Sequence, residues 1–146
     1  MSRKIDMNVS LKDVEPTLLN KQPSAKERDA FQEKMTEWNA ADPKTRGAAP
    51  KIDIDIMEAP EYVKSIIMNA ISQSHKTGNT ASLRRTKSIG EALEIGIDNK
   101  GALTLTDEDY KFVKSSLAKA DQWNNVEHIA KSILVVEDLI LDAEEE

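Results

Sequence analysis

Few side chains in this chain could do acid–base or metal chemistry, and their spacing is unfavourable. The 146 residues include two histidines, His75 and His128, and no cysteine. The lack of cysteine excludes disulfide scaffolds, cysteine-based zinc sites and thiol catalysis. Neither histidine belongs to a metal-ligand spacing such as His-Glu-x-x-His. We therefore expect capping or surface roles for both histidines, no bound metal and no cofactor.

Asp53 and Asp55 are the carboxylate pair with the most suggestive spacing. They alternate with isoleucine between Lys51 and Ile56, and on one face of a strand they would lie about 6.5–7 Å apart. That distance suits a hard cation or a shared acid–base role. The same alternation is typical of a strand with one solvent-exposed face, whose outward aspartates discourage edge pairing. An enzyme centred on this pair is accordingly the least favoured hypothesis.

Other signatures of catalysis or ligand binding do not occur in the sequence. It contains no nucleophile elbow, phosphate-binding loop or dinucleotide fingerprint, and its five glycines are scattered. The segment 98–101 reads Asp-Asn-Lys-Gly, which departs from a calcium-binding loop at its third position and is typical of a tight turn. The sequence thus predicts a protein that is not an enzyme.

A basic cluster in the middle of the chain is the sharpest charged feature. Arg84, Arg85 and Lys87 lie within four residues, whereas residues 101–146 carry four basic and eleven acidic side chains. Three roles follow: contacts to nucleic-acid phosphates, docking to an acidic partner protein, or pairing with the acidic C-terminal helix of this chain, within one molecule or between copies. The net charge of −6 and the absence of neighbouring aromatics weaken the nucleic-acid role.

A second candidate surface lies on a helix that the sequence predicts over residues 25–40. Ser24 and Glu27 form a capping box at its start. Phe31, Met35 and Trp38 then follow at spacings of four and three, which places them in one narrow apolar stripe. This stripe either binds a partner protein or folds back to complete the core.

Apolar periodicity predicts the remaining elements. Two segments, residues 4–11 and 51–56, alternate as strands and could pair with each other; in the second, three isoleucines would face inward. Helices are expected from about Pro60 to residue 76, and after Asn79 with Leu83 among its inward residues. Further helices should begin at Thr106 and near residue 125. A hairpin could join residues 94–97 to residues 102–105.

The resulting prediction is an α+β fold, predominantly helical, with four to five helices and a small two-stranded sheet. Residues 42–50 contain Pro43, Gly47 and Pro50 and are predicted to be a linker. We therefore expect an N-terminal arm over residues 1–50, with a strand and one amphipathic helix, and a compact helical domain with short strands over residues 51–146. No apolar run is long enough for a membrane span or a signal peptide, which favours the cytoplasm.

Both ends of the chain carry a family resemblance. Residues 4–13 at the start, and the helix start at residues 105–109 followed by the terminal helix ending at residues 136–139, resemble small proteins encoded by tailed bacteriophages and prophages. The resemblance does not include residues 24–50 and brings no catalytic residues. It implies a phage accessory protein that acts in virion assembly or structure, or binds a host protein, in the host cytoplasm or the virion.

The favoured hypothesis is a non-enzymatic protein-binding accessory protein. Its partner would be another protein, of phage or host, or a second copy of itself. A small nucleic-acid-binding regulator that uses residues 84–87 is the alternative. The predicted partner-binding residues are three apolar anchors and three cations: Phe31, Met35, Trp38, Arg84, Arg85 and Lys87.

Overall fold

A computed structural model describes residues 2–21, 23–52, 55–74, 79–120 and 127–145, with only the backbone for His128, Glu144 and Glu145. These residues form five α-helices: α1 (Ala25–Ala40), α2 (Ala59–Ser74), α3 (Thr80–Asp98), α4 (Asp107–Lys119) and α5 (Glu127–Leu141). The strands are β1 (Ser2–Asp6), β2 (Ala102–Thr106) and β3 (Glu144–Glu145), and a 3₁₀ helix covers Pro16–Leu19. The predicted α+β, predominantly helical fold class is confirmed.

The chain folds as two compact units. The larger unit comprises Met1–Leu19 and Met57–Glu146, and the smaller unit comprises Asn20–Ile56. The smaller unit contains α1, and the larger unit contains all the other helices and strands. The predicted boundary at residue 50 is not where the units divide, because β1 belongs to the sheet of the larger unit.

The sheet of the larger unit is antiparallel, with strand order β2-β1-β3. β1 pairs with β2 along its whole length, from Ser2 opposite Thr106 to Asp6 opposite Ala102. β3 adds two residues on the other side of β1. The prediction that segments 4–11 and 51–56 pair with each other is therefore wrong, because the partner of β1 comes from the segment that follows α3.

The described residues of the segment 51–56, which exclude 53 and 54, do not form the predicted half-buried strand. Among them, only Ile56 makes a bridge, to Asn20, and 67 % of its surface is exposed. Alternation indicates a strand only where neighbouring strands supply backbone partners, and among the described residues of this segment only Asp55 and Ile56 take part in such pairing. Asp55 is exposed, and Asp53, the other member of the carboxylate pair, lies outside the described residues. The predicted hairpin is also wrong in part, because residues 94–97 belong to α3.

The hydrophobic core of the larger unit is built around α2. This helix places seven residues in the core at the spacings expected for one broad helical face: Pro60, Tyr62, Val63, Ile66, Ile67, Ala70 and Ile71. Residues from β1, β2, α3, α4 and α5 complete the core, including Ile5, Leu103, Leu93, Val113 and Val136. α2 therefore serves as the central support for the elements that carry the basic cluster.

A tight turn connects α3 to β2 and sets the position of the sheet edge. Lys100 and Gly101 have φ angles of 57° and 88°, in the left-handed region that reverses the chain directly after a helix. The side-chain amide of Asn8 donates a hydrogen bond of 2.7 Å to the carbonyl of Lys100. The backbone N–H of Met7 donates one of 2.8 Å to the carbonyl of Gly101. The turn is thereby fastened to the residues that follow β1.

The packing of Tyr62 gives a testable pH dependence. Its hydroxyl donates a buried hydrogen bond of 2.6 Å to the carbonyl of Ser132, and burial raises the pKa of Tyr62 from 10.0 to about 12. The unfolded chain therefore releases this proton at lower pH than the folded protein, so the free energy of unfolding falls between pH 10 and 12. We expect Tyr62→Phe to remove the part of this pH dependence that Tyr62 causes. At neutral pH it should lower the free energy of unfolding by about 1–2 kcal/mol, because the buried hydrogen bond is lost.

Urea denaturation of both forms at pH 7, 10 and 11 measures this effect. The matched control is Tyr110→Phe, because the hydroxyl of Tyr110 also donates a buried hydrogen bond, to the carbonyl of Ile140 at 2.9 Å. The interpretation is contradicted if wild type and Tyr62→Phe lose the same stability between pH 10 and 11.

Candidate functional site

Helix α1, the first candidate surface, is defined by local signals. Ser24 caps its N-terminus by accepting a hydrogen bond of 3.1 Å from the backbone N–H of Glu27, as the capping box predicts. The N–H of Ala41 closes the other end on the carbonyls of Glu37 and Trp38. No residue of this 16-residue helix is buried, so α1 contributes nothing to a hydrophobic core.

The three predicted apolar anchors all lie on α1 and are half-buried. Trp38 is the one with defined partners: its indole N–H donates 2.9 Å to the carbonyl of Gly47. The guanidinium of Arg46 stacks on the indole ring, 3.8 Å from its centroid. Met35 and Phe31 lie one and two turns before Trp38 on the same stripe.

The segment after α1, predicted as a linker, is an ordered turn that folds back on the helix. Asp42 organises it, because its carboxylate accepts from the N–H of Lys44 at 3.0 Å and its carbonyl from the N–H of Arg46 at 2.9 Å. This turn brings Arg46 over Trp38. The sequence contains a signal for it, since Asp followed by Pro43 starts turns, but the stacking partner eight residues from Trp38 was missed.

The ends of the smaller unit meet at its base. Asn20 and Ile56 form an antiparallel bridge, and the N–H of Lys21 donates 2.9 Å to the carbonyl of Asp55. The smaller unit is therefore a closed loop of chain, because its first and last residues are paired with each other.

The basic cluster lies in the first half of α3, and its three members have different surroundings. Arg85 points to the start of α4, where its guanidinium contacts Asp109 at 2.9 Å and Glu108 at 3.0 Å. The hydrogen bonds to Asp109 and then Glu108 raise the pKa of Arg85 above its ordinary value. Ser88 also donates to the carboxylate of Asp109, at 2.8 Å. Of the three roles left open by the sequence, Arg85 performs internal pairing.

The acids that pair with Arg85 belong to the first turn of α4. Thr106 caps this helix by accepting a hydrogen bond from the backbone N–H of Asp109, while the Asp109 carboxylate is held by Arg85 and Ser88. That side chain is only 3 % exposed, whereas Glu108 is 77 % exposed. The expected intramolecular partner, the acidic C-terminal helix, is wrong for Arg85, because the acids that pair with it lie on α4 and not on α5.

Arg84 and Lys87 remain on the solvent side of α3. Both are exposed, and Lys87 makes only a long contact of 3.9 Å with Glu91, one turn along the helix. Leu83 beside them was predicted to face inward, and this is wrong, since it is 66 % exposed. The reason is geometric: Leu83 and the buried Ile89 are six positions apart, about 1.7 turns, and so point in different directions.

The concave surface at this position is an open depression of about 490 Å³, lined by Thr80, Ala81, Arg84, Arg85 and Ser88. It is open to solvent and lacks the enclosed apolar walls typical of a small-molecule site. Within the described ranges, no three histidine, aspartate or glutamate side chains come together as a metal site. His75 lies outside these ranges, and His128 is placed only by its backbone in α5.

Over the same part of the chain, no helix combines the length and apolar character needed to cross a membrane. Comparison with known proteins finds no relative: the chain matches no family model, no curated protein and no solved structure. The candidate sites are consequently the two surfaces described above, the stripe on α1 and the solvent side of α3.

Proposed function

We propose that this chain is a non-enzymatic protein-binding accessory protein and that α1 is its main contact element. The observation that carries the proposal is a 16-residue helix with no buried residue. Isolated helices of this length are marginal in water, since helices in proteins gain most of their stability by packing an apolar face. A partner that covers Phe31 and Met35 would supply the missing packing.

The form of the smaller unit supports this role. Trp38 is held in place by Arg46 and Gly47, so the side chain at one end of the stripe is preorganised and loses little conformational entropy on binding. Aromatic side chains of this kind are the most frequent energetic anchors of protein interfaces. The expected partner therefore has a groove that accepts a helix through apolar positions four and three residues apart.

The resemblance of both chain ends to small proteins of tailed bacteriophages supports a more specific version. In that version the partner is a virion component or a host protein, and the chain acts in the host cytoplasm or the virion. Nucleic-acid binding by the basic cluster is the weaker alternative, because Arg85 is neutralised by Glu108 and Asp109 and only Arg84 and Lys87 remain to contact phosphates.

Substitution of Phe31 and Met35 tests the proposal. The variant Phe31→Ala/Met35→Ala should reduce affinity for the partner by about tenfold or more, because two apolar anchors are lost from the interface. The matched control is Gln32→Ala, an exposed residue of the same helix, which should bind as wild type does. Circular dichroism checks that all three proteins keep the same helix content.

The experiment has two stages. Immobilised wild-type protein and both variants are exposed to extracts of infected and uninfected cells, and retained proteins are quantified by mass spectrometry. The affinity of each retained protein, once purified, is then measured by calorimetry. Equal affinity of the double variant and wild type would refute the assignment to α1.

A further inference from the structure

The solvent side of α3 has features that the fold itself does not use. Leu83 and Ile95, near the two ends of the helix, are 66 % and 68 % exposed. They are the most exposed large apolar residues among those described in the larger unit. Four charged residues lie between them on the same side of the helix: Arg84, Lys87, Glu91 and Glu94.

The order of these six residues is self-complementary. Two copies of α3 placed antiparallel about a two-fold axis near Ile89 bring position 83 level with position 95 of the other copy. The same operation brings position 84 level with 94 and position 87 level with 91. Each apolar residue is then level with an apolar residue of the other copy, and each cation is level with an anion. A two-fold interface requires this kind of self-complementarity, since the same patch contributes to both sides.

The charged residues are available for such contacts. Arg84 is exposed. Lys87 and Glu91 are 79 % and 65 % exposed, and their contact within the helix is long, so it contributes little to stability. Glu94 forms an ion pair with Lys64 of α2 but keeps 57 % of its side chain exposed, which leaves room for a second cation. An antiparallel copy would add an opposite charge at each of these positions.

We propose that the solvent side of α3 binds a second copy of this chain, forming a two-fold symmetric homodimer through antiparallel α3 helices. The surface is separate from the stripe on α1, and the proposal does not depend on the function assigned to that helix. A helix of 19 residues is about 28 Å long. One pair of such helices buries less than a standard interface, so we expect a reversible dimer with a dissociation constant on the order of micromolar.

Sedimentation equilibrium of the full chain, from low to high micromolar concentration, measures the association. Wild type should shift from monomer to dimer with concentration. The variant Leu83→Ser/Ile95→Ser should remain monomeric, because it removes the apolar contact at each end of the interface. The matched control is Leu134→Ser on α5, where the leucine is 47 % exposed, and it should dimerise as wild type does.

A charge exchange then tests the antiparallel register. Lys87→Glu and Glu91→Lys should each weaken dimerisation by about tenfold, since each places like charges opposite one another twice in the dimer. The combined variant should return to within about threefold of wild type. A wild type that is monomeric throughout, a dimer unaffected by substitutions on α3, or a combined variant weaker than both single variants would each overturn the proposal.

Discussion

Replacing Asp109 with alanine is expected to lower the free energy of unfolding by about 3 kcal/mol. The carboxylate is almost fully buried and accepts hydrogen bonds from Arg85 at 2.9 Å and Ser88 at 2.8 Å. The substitution leaves the Ser88 hydroxyl without this acceptor and leaves a void at the junction of α3 and α4. Urea denaturation monitored by circular dichroism gives the difference in stability.

Three further variants separate the contribution of the Arg85–Asp109 ion pair to stability from that of general surface charge. Glu108→Ala removes an exposed contact of the same arginine and should change stability by less than about 0.5 kcal/mol. Arg85→Met should lower the melting temperature clearly more than Arg84→Met, because it strands the buried carboxylate of Asp109 without its cation. If Arg84→Met is the more damaging of the two, or if Asp109→Ala is as stable as wild type, the internal role of Arg85 is wrong.

The second large effect is expected at the turn between α3 and β2. Gly101→Val should destabilise the protein by about 3 kcal/mol, because a β-branched residue is strained at a φ of 88°. A side chain there would also collide with Asn8, whose amide nitrogen lies 2.5 Å from the position of the new Cβ. The displaced amide would release the carbonyl of Lys100, and β2 would lose its fixed starting point.

The matched control for this substitution is Gly47→Val. No atom lies within 4 Å of a Cβ at Gly47, so stability should stay within about 0.5 kcal/mol of wild type. Thermal and urea unfolding of both variants provides the comparison. Equal stability of Gly101→Val and Gly47→Val would show that the turn does not depend on a left-handed residue.

The local parts of the fold were predictable because their signals lie within one turn of helix or one face of it. Ser24 and Thr106 were identified as caps from their types and from the residues that follow, and both accept the expected backbone N–H. The apolar face of α2, from Tyr62 to Ile71, is buried as its spacing predicts. These inferences need no knowledge of the rest of the chain.

Non-local pairing was not predictable from the same patterns. Alternation in residues 4–11 indicated a strand but not its partner, and the true partner, β2, begins about a hundred residues later. The Ile-Asp alternation of residues 51–56 is equally regular, yet of its described residues only Ile56 makes a bridge. Register and partner depend on which chain segments the helices bring together, and this information is not contained in a six-residue window.

The candidate site was likewise predictable in its local features and not in its tertiary contacts. The sequence placed Phe31, Met35 and Trp38 on one stripe of a helix, and the helix is present over the predicted residues. It could not show that Arg46 stacks on Trp38 or that Arg85 is neutralised by α4, because both contacts depend on tertiary placement. The basic cluster is consequently reduced from three available cations to two.

Amide hydrogen exchange of α1, with and without the captured partner, tests the central claim most directly. With no buried face, the α1 amides should exchange rapidly in the free protein, and we expect exchange at least about tenfold slower in the complex, since the partner would supply the packing that stabilises the helix. A complex in which α1 exchanges as fast as in the free protein, while protection increases only in the larger unit, would contradict the account.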